Sequence, residues 1–190
     1  MNQLQFDNGR YLNLPLSYPN VLADAEVKKR INEISTPTTA ARFYLNGKKL
    51  SASDYKSYSD NLNLPSAPIQ VRFALVTQRT SLRKFPTIDR VFNAQMNTDI
   101  DRFQESAVFP GEAVTVLNIS KDQQWAFVQN YHYRAWLQLK DIAFAPKHII
   151  EQFIDAKQRF LQRIFWNCSD TINLKYFFSR LIFYNGIFVF

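Results

Sequence analysis

Covalent chemistry in this chain would have to pass through one cysteine, Cys168, in the run Trp166-Asn167-Cys168-Ser169-Asp170. A thiol becomes a nucleophile when a helix N-terminus or a nearby cation lowers its pKa and a histidine accepts its proton. The two histidines, His132 and His148, both precede Cys168, and none follows it. A single cysteine without a recognisable partner motif is more often incidental than catalytic, and no catalytic residue is assigned. A lone thiol also excludes an internal disulfide and a four-cysteine zinc site, so no metal and no cofactor are expected. His132, between two tyrosines, reads as a surface side chain, and His148 as a structural or exposed residue opening an apolar stretch.

Recognition is the remaining chemistry. Three acids, Asp99, Asp101 and Glu105, flank Arg102 in a long connection between strands. Loop acids commonly cap turns and pair locally. Tyr131 and Tyr133 fall two apart near the end of a predicted strand, which places them on one face and leaves a recognition role open beside plain packing. Trp125, Phe127 and Trp136 alternate with smaller or polar residues and read as barrel core.

The elements that must hold these residues can be read from pattern. A chain of 190 residues, 46% hydrophobic and 21% charged, is long enough to bury a core and too short for a large multidomain assembly. Its net charge of +7 is scattered, with Lys28-Lys29-Arg30 the only basic triple, and no phosphate-binding loop is visible. No nucleic-acid partner is expected. Residues 1–20 read as an extended wrap punctuated by Pro15 and Pro19. Asp24 reads as the N-cap of a helix carrying Val27, Ile31 and Ile34 and ending near Ser35, ahead of Pro37. Asn46-Gly47 signals a turn. Ser51-Ala52-Ser53-Asp54 opens a second short helix with Tyr55, Tyr58 and Leu62 on one face. Strands are predicted at 71–76, 114–119, 125–129 and 135–139, with turns at Pro110-Gly111 and 120–123. The stretch from Arg79 to Ser106 reads as a long loop.

Several runs in this region resemble a known family. Asn97-Thr98-Asp99-Ile100-Asp101-Arg102-Phe103-Gln104-Glu105-Ser106, Phe109-Pro110-Gly111-Glu112 and Trp125-Ala126-Phe127-Val128-Gln129-Asn130-Tyr131-His132-Tyr133-Arg134-Ala135-Trp136 are similar to the first bacterial SH3 domain of NlpC/P60 cell-wall hydrolases. Residues 77–87 resemble that family too, and residues 1–70 its preceding helical clamp. The resemblance implies an α+β protein: a helical clamp or stabilising domain over 1–70, an SH3-like β-barrel with an enlarged first loop over 71–146, and a C-terminal extension over 147–190. It implies a non-catalytic part of a peptidoglycan endopeptidase, serving wall targeting or shaping of the substrate cleft. Its partners would be peptidoglycan stem peptides or an NlpC/P60 catalytic domain, and its place the cell envelope or periplasm. In that setting an acid among Asp99, Asp101 and Glu105 would receive the free ammonium of a stem peptide through a charge-assisted hydrogen bond.

The family's nucleophile stands in an Asp-Cys-Ser-Gly context, from which the Cys168 run departs on both sides. Residues 159–190 hold 10 of the 29 aromatics, and that tail reads as an aberrant or truncated end rather than a further domain. Assistance to a separately encoded catalytic domain, or a decayed product without activity, are the competing expectations. The start lacks the basic and apolar regions of a secretory signal. The ten-residue apolar run after Arg180 falls short of the roughly 20 residues that span a bilayer, so no transmembrane segment is expected.

Overall fold

The computed structural model describes residues 14–154. The first part of the expected wrap (1–13), the run around Cys168 and the aromatic-rich tail lie outside those residues. Ahead of the main sheet, a 3-10 turn at Leu14–Ser17 leads to β1 (Val21–Leu22) and α1 (Asp24–Ile34). Asp24 is not the cap. Ala23 takes that position without a side-chain bond, and Asp24 opens the first turn, where its carboxylate accepts from Lys28 Nζ at 3.0 Å. Acids in a first turn favour the helix dipole, and the i,i+4 partner adds a little more. Val27 and Ile31 are fully buried on the inner face, while Ile34 is half-buried. The helix stops at Ser35, whose N–H bonds to the Ile31 carbonyl.

The short strand β2 (Phe43–Tyr44) ends in a turn at Gly47, where φ is +79°, a conformation glycine adopts without strain. The predicted capping box is present. Ser51 Oγ accepts from the Asp54 N–H while Asp54 accepts from the Ser51 N–H, opening α2 (Ala52–Asp60). Tyr58 and Leu62 are buried, and Tyr55 is half-buried beside them. The strand β3 (Ile69–Gln70) then returns to pair with β1.

The rest builds one antiparallel sheet from β4 (Arg72–Val76), β5 (Thr80–Arg83), β7 (Gln104–Val108), β8 (Ala113–Ile119), β9 (Trp125–Gln129), β10 (Arg134–Gln138) and β11 (Ile142–Phe144). The strand order is β11-β4-β8-β9-β10-β5-β7. A two-residue strand, β6 (Val91–Phe92), pairs instead with β2. The stretch expected as one loop from Arg79 to Ser106 is thus divided: Thr80–Arg83 and Gln104–Val108 pair with each other, leaving an excursion over 84–103. The strand expected at 135–139 runs Arg134–Gln138, and Leu139–Asp141 forms a 3-10 turn.

Alternation splits the buried side chains into two sets. Ala74, Val76, Leu82, Val108, Val114, Val116, Ala126, Val128, Ala135 and Leu137 form one cluster, to which strands near both ends of the sheet contribute. Small aliphatic side chains suit the crowded inside of a small curled sheet. Phe73, Trp125, Phe127 and Trp136 belong to the other cluster, with Val27, Ile31, Leu50, Tyr58 and Leu62 from the helical part and Ile150 from a helix over 147–154. So Trp125, Phe127 and Trp136 are buried as expected, but on the outer face of the sheet, under the helices. Periodicity says which residues share a face; residue size decides which face closes inward. Trp136 Nε1 donates to Ser35 Oγ at 2.9 Å, and Ser35 Oγ donates to the Lys84 carbonyl at 2.7 Å, so the end of α1 is bonded to both the sheet and the excursion.

Candidate functional site

The five residues singled out for recognition fall into three environments. Asp101 is buried. Its Oδ2 accepts from Arg83 Nη1 at 2.9 Å, and its Oδ1 accepts from the Val91 and Phe103 N–H groups at 3.2 and 3.0 Å. This carboxylate closes the excursion against β5, a structural duty that uses both oxygens. Asp99 is exposed within the excursion, its N–H bonded to Asn97 Oδ1 at 3.1 Å. Among the described residues, no hydrogen bond or ion pair joins it to the other candidates.

Glu105 and Tyr133 are brought together. Tyr133 Oη donates to Glu105 Oε2 at 2.7 Å, across 28 residues of sequence. Partial burial, and then the adjacent Glu105 carboxylate, push the Tyr133 phenol up to about 12. It therefore stays protonated, and a donor, throughout the physiological range. Glu105 is exposed, so one of its oxygens is engaged and the other faces no partner among the described residues.

Tyr131 and Tyr133 do not share a strand face, because β9 ends at Gln129 and β10 begins at Arg134. Asn130, fully buried, turns the chain between them: its Oδ1 accepts from the His132 and Tyr133 N–H groups at 3.0 and 2.7 Å, as asparagine does in tight turns. Its Nδ2 donates to Glu112 Oε2 at 3.2 Å, and Gln129 Nε2 donates to the Tyr133 carbonyl at 3.0 Å. The loop is rigidly held as a result. Tyr131 projects as an exposed ring, 4.4 Å between centroids from His132. Asn130, Gln129 and Glu112 were missed as positioning residues. An asparagine directly before Tyr-His-Tyr at a strand end is the signal that could have found the turn.

What this arrangement can do is bind a cation. A strand carboxylate oriented by a phenol donor from a pinned loop suits an ammonium. Among the described residues no group of three or more His, Cys, Asp or Glu side chains could hold a metal ion.

Residues 89–138 match the family model of the SH3 domain, SH3b1 type. The matched span covers Asp99, Asp101, Glu105, Tyr131 and Tyr133. The fold is similar to that of an NlpC/P60 endopeptidase from Photobacterium damselae subsp. piscicida, with a TM-score of 0.59 and 18% sequence identity. The likeness covers 76% of this chain and 37% of the endopeptidase, and at that identity it is a likeness of fold. Comparison with curated proteins finds no match. With its helices packed on the aromatic face of a curled sheet and the matched span running from Asp89 to the end of β10, the chain is similar over that span to the SH3 domain of the SH3b1 type, in a fold like that of an NlpC/P60 endopeptidase.

Proposed function

We propose that the chain is a non-catalytic recognition module of NlpC/P60-type peptidoglycan hydrolysis, and that Glu105 and Tyr133 receive the free N-terminal amine of a stem peptide. The observation that carries this reading is the 2.7 Å Tyr133–Glu105 bond on a loop held by Asn130. The phenol fixes one carboxylate oxygen, and the other accepts from the ammonium. Tyr131, exposed on the same loop, is the candidate surface for the first side chain. Asp101, committed to Arg83 and two backbone N–H groups, contributes by holding the excursion rather than by touching ligand, and Asp99 is a peripheral charge. The module acts either beside a catalytic domain or on the wall directly. No helix among the described residues is long and apolar enough to cross a membrane.

The test is titration of the protein with a peptide beginning L-Ala-γ-D-Glu, free or acetylated at its N-terminus. The free peptide binds, and Glu105→Gln weakens it about tenfold, equivalent to about 1.4 kcal/mol, without changing the acetylated form. Equal binding of the two peptides would remove the pair from recognition. The protein alone releases no peptide from peptidoglycan. Cleavage that survives purification and vanishes in Cys168→Ala would overturn the non-catalytic reading.

A further inference from the structure

Between β5, the 3-10 turn Leu139–Asp141 and the excursion lies a polar cleft of about 390 Å³. Four cations line it, Arg79, Arg83, Arg90 and Lys140, against two acids, Asp101 and Asp141. Both acids are buried and engaged, Asp101 with Arg83 and Asp141 with Gln78 Nε2. Arg79 and Arg90 lie over the Phe109 and Phe92 rings, 5.6 and 5.3 Å from the centroids, and among the described residues neither they nor Lys140 forms an ion pair.

Arg83 is the most constrained of the four. Its side chain is only 8% exposed, fixed through Nη1 to Asp101 and through Nη2 to the Asp89 carbonyl. Its Nε–H is buried and has no acceptor among the described residues. A buried guanidinium donor without an acceptor is costly, and an anionic oxygen that gained access to it from the cleft would satisfy it better than a neutral one. We propose that this cleft binds a carboxylate of a short peptide, with Arg83 as its floor and Arg79 and Lys140 at its rim.

The surroundings favour a peptide carboxylate over a phosphate. The site offers a few side-chain donors, with no α-helix N-terminus or glycine-rich loop among its lining residues. The cleft shares Ile88, Trp125, Gln138 and Lys140 with a neighbouring cleft of about 560 Å³. That second cleft adds Gln123 and Gln124, amide groups suited to a peptide backbone, beside the apolar Ile88. A chain anchored by its carboxylate can therefore extend along the surface. Neither Glu105 nor Tyr133 lines either cleft, so the inference stands apart from amine recognition.

The experiment uses the full chain at low ionic strength, with three probes followed by the Arg83 Nε–H resonance. The probes are an N-acetylated tripeptide with a free carboxylate, its C-terminal amide, and inorganic phosphate. The carboxylate peptide saturates the shift with a Kd of about 1 mM or tighter, and the amide does not. Arg79→Gln combined with Lys140→Gln, both exposed positions that leave the fold intact, weakens it about tenfold. Glu105→Gln leaves it unchanged, which separates failure here from failure of the amine site. Equal response to acid and amide, phosphate binding tighter than the peptide, or no shift at all would overturn the proposal.

Discussion

Two carboxylates four residues apart do opposite work. Asp101 and Arg83 form a buried pair with side chains 6% and 8% exposed, and removing one partner of such a pair leaves an uncompensated charge in the interior. Asp101→Asn is expected to cost about 3–5 kcal/mol in urea unfolding. Glu105→Gln, at an exposed position, should cost about 1 kcal/mol or less. A similar cost for the two would mean that Asp101 does not brace the excursion. Tyrosines add a pH signature. Burial raises Tyr58, which donates to Asp89 at 2.6 Å, and Tyr133 is held at about 12. In the unfolded chain both return to the ordinary value of 10. Their contribution is thus intact below pH 10 and is lost as pH rises from 10 towards 12, where only the unfolded state gives up its protons. The melting temperature should fall over that window, and Tyr133→Phe should make the fall shallower. A wild-type curve with no slope there would count against the buried donors.

At the scale of elements, α1 is held by two fully buried side chains and one indole bond. Ile31→Ala should cost about 2–5 kcal/mol, because α1, α2 and the sheet all limit collapse of the cavity. Ser51→Ala should cost about 1 kcal/mol through loss of the cap alone. Calorimetry on the two variants checks the order, and a larger loss for Ser51→Ala would contradict the tight packing of α1 on the sheet. The helices α1 and α2 were legible in the sequence, since apolar spacing and a capping box are local signals. So was β9, an apolar run behind a polar turn. β5 and β7 were not, because Thr80-Ser81-Leu82-Arg83 and Gln104-Glu105-Ser106 are largely polar and become strands only by pairing with each other. The site followed the same rule. Glu105 and Tyr133 were each marked as candidates, but their bond spans 28 residues and depends on an asparagine turn that splits the two tyrosines. The burial of Asp101 was hidden for a like reason, since its partner Arg83 lies on a strand that local pattern did not reveal.

For the whole molecule, the division into 1–70, 71–146 and 147–190 remains a proposal, and dissection tests it. Phe73, Trp125, Phe127 and Trp136 face the helices rather than the sheet's interior, so a piece covering 71–154 would present an aromatic surface to water. That piece is expected to bind a hydrophobic dye, to associate, and to melt below the intact chain. Equal stability and no dye binding would show that the clamp is an independent appendage. The same two-faced sheet makes the protein its own optical gauge. Trp125 and Trp136 both sit at the seam between helices and strands, so in a Trp166→Phe variant the emission registers whether that seam is shut. A red shift on mild denaturation, while the far-ultraviolet signal of the strands persists, would record helices lifting away before the barrel opens. Any event at the outer loops that loosens this lid would then be visible by light alone, without a label.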